Sequence, residues 1–175
     1  MNSDARVEDS RTNDELFQAT LLEDYDDQAA WDAVRALQMR GTEEVFHLAV
    51  RSCESAVPLE RARGLDVLAQ LWAGEPQSER PRFAERLAVA MEHLRDEDAL
   101  VVHSAAWALS NIGGDEAISA LIAMRVNSDP SIRWAVTCGM AGSQREDAIS
   151  TLIELMHDVD DDVRGWARSA MWTSR

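Results

Sequence analysis

The chain has few of the residues that would open most routes to chemistry. Only two of its 175 residues are cysteines. Cys53 and Cys138 fall in distant parts of a repeated pattern, too far apart for the ~7 Å Cα limit of a disulfide. Both read as reduced core residues, as expected of a cytoplasmic protein. Aromatics make up 6%, six of them Trp, and runs of Val, Ile, Thr and Tyr that would mark strands are absent. The four prolines stand near helix starts or in loops. No apolar stretch approaches the ~20 residues needed to span a membrane, and the N-terminus lacks an apolar signal-peptide segment. Basic charge is also scarce. With 32 acidic against 17 basic residues the formal net charge is −15. Arg80, Arg82 and Arg86 form only a loose group, so no basic stripe meets a phosphate backbone and nucleic acid is not an expected partner. His47, His93, His103 and His157 stand alone, with no His-x-x-x-His spacing for a metal. There is no Gly-x-Ser-x-Gly, no P-loop and no dinucleotide fingerprint.

What is present is a repeat. Ala29, Glu60, Val101, Ile132 and Val163 align at spacings of 31, 41, 31 and 31 residues. Asp115-Glu-Ala-Ile-Ser-Ala-Leu-Ile lies over Glu146-Asp-Ala-Ile-Ser-Thr-Leu-Ile. A period near 31 with helical patterning predicts an all-α fold, an α-solenoid of about four and a half stacked helix pairs. Residues 1–11 read as a disordered acidic tail and 12–175 as the solenoid, with repeats starting near 26, 57, 98, 129 and 160. Thr12 and Glu15 form a capping-box signature for a leading short helix, and Ser143 and Glu146 form another. A first helix is expected over 28–40, ended by Gly41, with Thr42 capping the next. The ten-residue excess falls around Gly74-Glu-Pro-Gln-Ser-Glu-Arg-Pro, which cannot continue a helix. The fifth repeat supplies one helix only, which leaves an apolar face to be covered by a continuation of the chain, by self-association with a second copy, or by Trp166 and Trp172 themselves.

The pattern Asp-x-x-(Val/Ile)-Arg-x-x-Ala-x-x-(Ala/Gly)-(Leu/Met) runs, with Val136 at the alanine position, from Asp129 through Ile132 and Arg133 to Gly139 and Met140. It runs again from Asp160 through Val163 and Arg164 to Ala170 and Met171. It resembles the HEAT-repeat family in its short bacterial form. The match is partial elsewhere: Val102 stands where Arg is expected, Val57 where Asp is expected, and Ala30 follows Asp26 in the first repeat. The resemblance implies a HEAT-like superhelix over about residues 14–175. It also implies that the second helix of each pair lines the concave face.

Candidate residues follow. Asp98, Asp129 and Asp160 stand where helix N-caps are expected, and Arg133 and Arg164 are placed to reach an Asp of a neighbouring repeat, a structural ladder. The clusters Glu23, Asp24, Asp26, Asp27; Asp96, Glu97, Asp98; and Asp158, Asp160, Asp161, Asp162 form a solvated, helix-capping edge or an acidic docking strip. No calcium loop is among them. Concave-face contacts expected from the resemblance are Glu43, Glu44, His47, Arg51, Glu85, Arg86, Asp115, Glu116, Glu146, Asp147 and Glu154. Trp31 and Trp134 share one repeat position and are candidate exposed hot spots. These readings lead to a non-enzymatic scaffold with no cofactor, no metal and no catalytic residue, binding a basic or amphipathic protein. The second reading, which the resemblance alone implies, is a phycobilin-lyase-like protein acting on a tetrapyrrole-carrying partner.

Overall fold

The structure, a computed structural model, describes residues 9–76 and 79–173. They form ten α-helices: α1 (Asn13–Ala19), α2 (Gln28–Arg40), α3 (Glu43–Cys53), α4 (Pro58–Gln70), α5 (Phe83–His93), α6 (Ala99–Ile112), α7 (Asp115–Ala123), α8 (Pro130–Met140), α9 (Glu146–Leu155) and α10 (Asp161–Thr173). No strand occurs among the described residues, and no helix is long and apolar enough to cross a membrane. The fold is an α-solenoid, as the 31-residue period requires.

Local chemistry places the helix starts. Thr12 and Glu15 close a reciprocal capping box, and Thr42 accepts from the Val45 amide. Gly41 ends α2 in the left-handed conformation (φ 55°). The Ser143–Glu146 box does not form: α9 begins after Arg145, and Ser143 accepts from the Arg145 amide. A turn motif recurs before the helices α6, α8 and α10. Asp96, Asn127 and Asp158 each accept from the amide two residues on. The carboxylate reached that way caps the helix: Asp98 takes the Leu100 amide, Asp129 that of Ser131, and Asp160 those of Asp162 and Val163.

The polar tail expected over 1–11 falls outside the described residues for positions 1–8. At its end the chain is held, because Arg40 donates to the carbonyls of Asp9 and Arg11 and to the Asn13 side chain.

Two layers result. The even-numbered helices pack closely on one another, α4 on α6, α6 on α8 and α8 on α10, while odd-numbered neighbours touch sparingly. Small side chains allow it: Ala105, Ala106, Ala108 and Ala135 are fully buried. A stack whose one layer is tighter bends toward that layer, so α2, α4, α6, α8 and α10 form the inner, concave side. Packing also joins each odd helix to the even helix after it, α3 to α4, α5 to α6 and α9 to α10. Counted from α2 the array is four pairs between α1 and α10; counted from α1 it is five pairs with the outer helix first. On either count α10 rests on both α8 and α9.

Paired arginines pin the repeats together. Arg61 grips Asp96 with two bonds of 2.9 and 2.8 Å, and Arg133 grips Asp158 with two of 2.7 Å. Each also donates upstream, Arg61 to the Ser55 carbonyl and Arg133 to those of Asn127 and Ser128. The ladder partners are therefore Asp96 and Asp158, two residues before the capping Asp98 and Asp160. Arg164 pairs with Asp161 in its own helix and donates to the Asp158 carbonyl. In the intervening repeat the arginine position is Val102 and the acceptor position is Asn127, so guanidinium and carboxylate are missing together.

Candidate functional site

Side chains three or four apart share a helix face. On the solvent side of the inner layer α6 presents His103, Trp107 and Ser110, α8 presents Ser131, Trp134 and Cys138, and α10 presents Asp162, Trp166 and Ser169. The three indoles form a continuous ladder. Trp107 and Trp134 stack with centroids 5.1 Å apart and planes 16° from parallel. Trp134 meets Trp166 edge to face at 5.7 Å and 85°. Trp107 and Trp134 are half-buried, and Trp166 is 50% exposed. Between α8 and α10 lies a cleft of about 460 Å³ lined by Pro130, Ser131, Trp134, Asp160, Asp162 and Trp166. Beside the ladder's start, His103 Nδ1 lies 2.8 Å from the Ser131 hydroxyl. Burial holds its pKa below the usual histidine value, against the pull of Asp129 and Asp26. The Asp129 carboxyl titrates below the ordinary carboxylate range; burial opposes that shift, and hydrogen bonds from Ser131 outweigh it. The cleft is thus apolar on its floor and acidic at its rim.

Toward the N-terminus the same face is closed by the protein itself. Arg63 of α4, fully buried, donates to the carbonyls of Thr20 and Tyr25 and to Asp66 Oδ2 at 3.3 Å. Its guanidinium carbon lies 4.1 Å from the Tyr25 ring centroid and 5.0 Å from that of Trp31. The Tyr25 hydroxyl lies 2.8 Å from Asp66 and 2.9 Å from Ser104 of α6. Burial pushes the Asp66 carboxyl up to about 6, although Tyr25 and Arg63 pull it down. One hot-spot candidate, Trp31, is consequently spent on Arg63 and Tyr25. The other, Trp134, sits at the centre of the ladder.

The eleven concave-face candidates need correction. They lie on α3, α5, α7 and α9, the outer layer, because it is the even helices that sit close together. Ten of them are exposed there. Several are tied by ion pairs: Glu43 and Glu85 to Arg82, Asp115 and Asp147 to Arg145, and Glu154 to Arg125, while His47 Nε2 lies 3.8 Å from Glu43. Glu44, Arg51, Glu116 and Glu146 complete the exposed set. Asp115 and Glu116 also border an outer groove of about 420 Å³ between α5 and α7, with Phe83, Leu87 and Met91. Arg86 cannot contact a partner, since it is fully buried. Its Nε and Nη2 donate to the Leu68 carbonyl at 3.0 and 2.7 Å, capping the carbonyl end of α4, and its guanidinium faces the Trp72 ring. Burial pulls its pKa down to about 10, still well above neutrality. Reading by periodicity missed Trp107 and Trp166. Both were legible as residues one turn along a face already carrying His103 and Asp162.

Cys53 is buried and Cys138 half-buried, both as free thiols, and burial raises both pKa values. Among the described residues no group of three or more His, Cys, Asp or Glu is arranged to hold a metal ion.

Comparison with known proteins agrees with this geometry. A family model described as HEAT repeats matches residues 55–137 and 87–172. No curated protein matches the chain. The solved structure of YibA from Escherichia coli is similar over 92% of this chain, with 23% identity and a TM-score of 0.73. The chain spans 58% of that structure's length. A designed armadillo repeat protein in complex with the peptide (KR)4 is similar over 93% of this chain and 82% of its own, with 19% identity and a TM-score of 0.61. An engineered protein is similar over 93% of this chain and 78% of its own, at 21% identity and a TM-score of 0.59. At these identities the likeness is one of fold.

Proposed function

Given that this chain belongs to the HEAT-repeat family, we propose that it is a non-enzymatic scaffold whose inner face binds a basic or amphipathic segment of another protein. The observation that carries this reading is the Trp107–Trp134–Trp166 ladder, an aromatic strip across three successive inner helices. Trp is among the side chains enriched at the energetic centre of protein interfaces. Asp160 and Asp162 border the strip, and a net charge of −15 favours a partner of opposite sign. The solved complex of a designed armadillo repeat protein with (KR)4 is a basic ligand on a related fold. The outer-layer carboxylates support this reading less well, because five of them already face arginines of this chain.

The test is affinity purification from the native host with three baits: the unaltered chain, Trp134→Ala with Trp166→Ala, and an outer-layer variant, Glu44→Arg with Glu116→Arg. A partner retained by the first and third baits, lost from the second and released by salt supports the inner face. An acidic, salt-insensitive partner, or one lost only from the outer-layer variant, overturns it.

A further inference from the structure

The inner face already holds one guanidinium, that of the buried Arg63. Arg63 is received by aromatic rings from Tyr25 and Trp31, by the carboxylate of Asp66 and by two backbone carbonyls. Trp31 and Trp134 occupy the same repeat position, two residues past Ala29 and Ile132. In the following repeat Arg63 and Trp166 also correspond, three residues past Glu60 and Val163. Trp31 therefore meets an arginine of this chain at 5.0 Å where Trp134 meets Trp166 at 5.7 Å. The second location keeps one aromatic wall, Trp134 in the place of Trp31, sets the Trp166 ring where Arg63 stands, and carries two carboxylates, Asp160 and Asp162, at the rim of the cleft. Trp166 is 50% exposed, so the approach to its indole is open.

We propose that the cleft between α8 and α10 is an arginine-binding subsite, taking the side chain of one arginine from an extended basic segment of a protein partner. This rests on the inner face being the binding face. The guanidinium lies against the exposed Trp166 ring, and Asp162, one turn earlier on the same face of α10, accepts from its edge. Arginine is favoured over lysine because its planar fork stacks on an indole while still donating in plane to a carboxylate. A lysine ammonium, more strongly hydrated and unable to stack, uses only the charge.

The probe is an acetylated, amidated peptide of four Gly-Arg repeats, titrated calorimetrically into the full chain at low ionic strength. Matching Gly-Lys and Gly-citrulline peptides run beside it. The Arg peptide should bind several-fold more tightly than the Lys peptide, and the neutral citrulline peptide should not bind measurably. Trp166→Ala and Asp162→Asn should each weaken the Arg peptide by about five- to tenfold. Trp166→Phe should restore part of that loss, which a merely structural role would not predict. Asp115→Asn, on the outer layer, should leave affinity unchanged, and circular dichroism should show every variant equally helical. Equal binding of the Arg peptide to the unaltered chain and to Trp166→Ala sinks the subsite while leaving a basic partner in place. Failure of both the Arg and Lys peptides to bind overturns the subsite together with the reading beneath it.

Discussion

Replacing Gly64 with alanine isolates the packing that lets the layers close. Gly64 is inside α4, where helix propensity alone would favour alanine by about 1 kcal/mol. The structure opposes it. A Cβ at Gly64 would stand 2.7 Å from the Ala49 carbonyl oxygen, 2.8 Å from Cys53 Sγ and 2.9 Å from the Cys53 amide nitrogen. Two of these three are backbone atoms of α3, so no rotamer change relieves them. The helices must part by roughly half an ångström or more, which forfeits about a quarter to a half of the dispersion attraction of the atoms lining the gap. Overpacking of this kind costs about 1–3 kcal/mol. Toward the upper end of that range, less the propensity gain, Gly64→Ala should lose about 1–2 kcal/mol. That corresponds to a fall of roughly 2–8 °C in Tm for a chain of this size. Gly165→Ala is the control of opposite sign. The same added carbon meets nothing within 4 Å there, so stability should rise by up to about 1 kcal/mol. Gly139 lies between them, since its Cβ would meet mainly the tip of Leu121, a side chain able to move. Urea denaturation followed by circular dichroism and by Trp fluorescence would rank the three. A Gly64→Ala protein as stable as the unaltered chain, or both end members shifting in the same direction, would refute the close-approach argument.

Three further outcomes are expected. Asp158→Asn should cost about 2 kcal/mol or more by stranding the nearly buried Arg133 guanidinium. Asp158→Asn with Arg133→Val should cost less than the sum of the two single changes, because it recreates the Val102–Asn127 combination of the preceding repeat; strict additivity in a denaturant double-mutant cycle would count against the pairing. Asp129→Ala should lose about 1 kcal/mol, since Asp129 caps α8 through the Ser131 amide and hydroxyl; an unchanged urea midpoint would reject that cap. The pH dependence has two opposed parts. Hydrogen bonds from Arg61 and Arg133 hold Asp96 and Asp158 below the ordinary carboxylate range, so their contribution is complete above an unfolded pKa near 3.9 and is lost as pH falls through the depressed folded values. Asp66, raised to about 6 by burial, works the other way: its folded form takes up a proton first, so stability gains as pH falls through 6 toward 4. Urea midpoints from pH 8 to 2 should rise slightly before falling, and Asp66→Asn should remove the rise.

The sequence alone determined the helices and their stacking. A 31-residue period, Thr12 with Glu15, Gly41 after Arg40 and Asp–Pro at 129–130 are local signals, written within a turn or two of where they act. Backbone hydrogen bonding and capping are likewise local, so α2 occupies the expected 28–40 to the residue. Part of the site was legible too: Trp134 was singled out by its repeat position, although Trp31 at the equivalent place turned out to be closed by Arg63. The tertiary structure decided what depends on distance in space. Which layer is inner follows from how closely helices some thirty residues apart approach, and Gly64 and the buried alanines set that through packing no i, i+4 pattern encodes. Arg86 reads as a surface charge in any hydropathy profile, yet it is buried because the carbonyl end of α4 supplies acceptors for its guanidinium. The partner of Arg133 is Asp158 rather than the capping Asp160, a choice of two residues made by the rotation between neighbouring repeats. The indoles of Trp107, Trp134 and Trp166 become one strip only when that same rotation brings three helices into register.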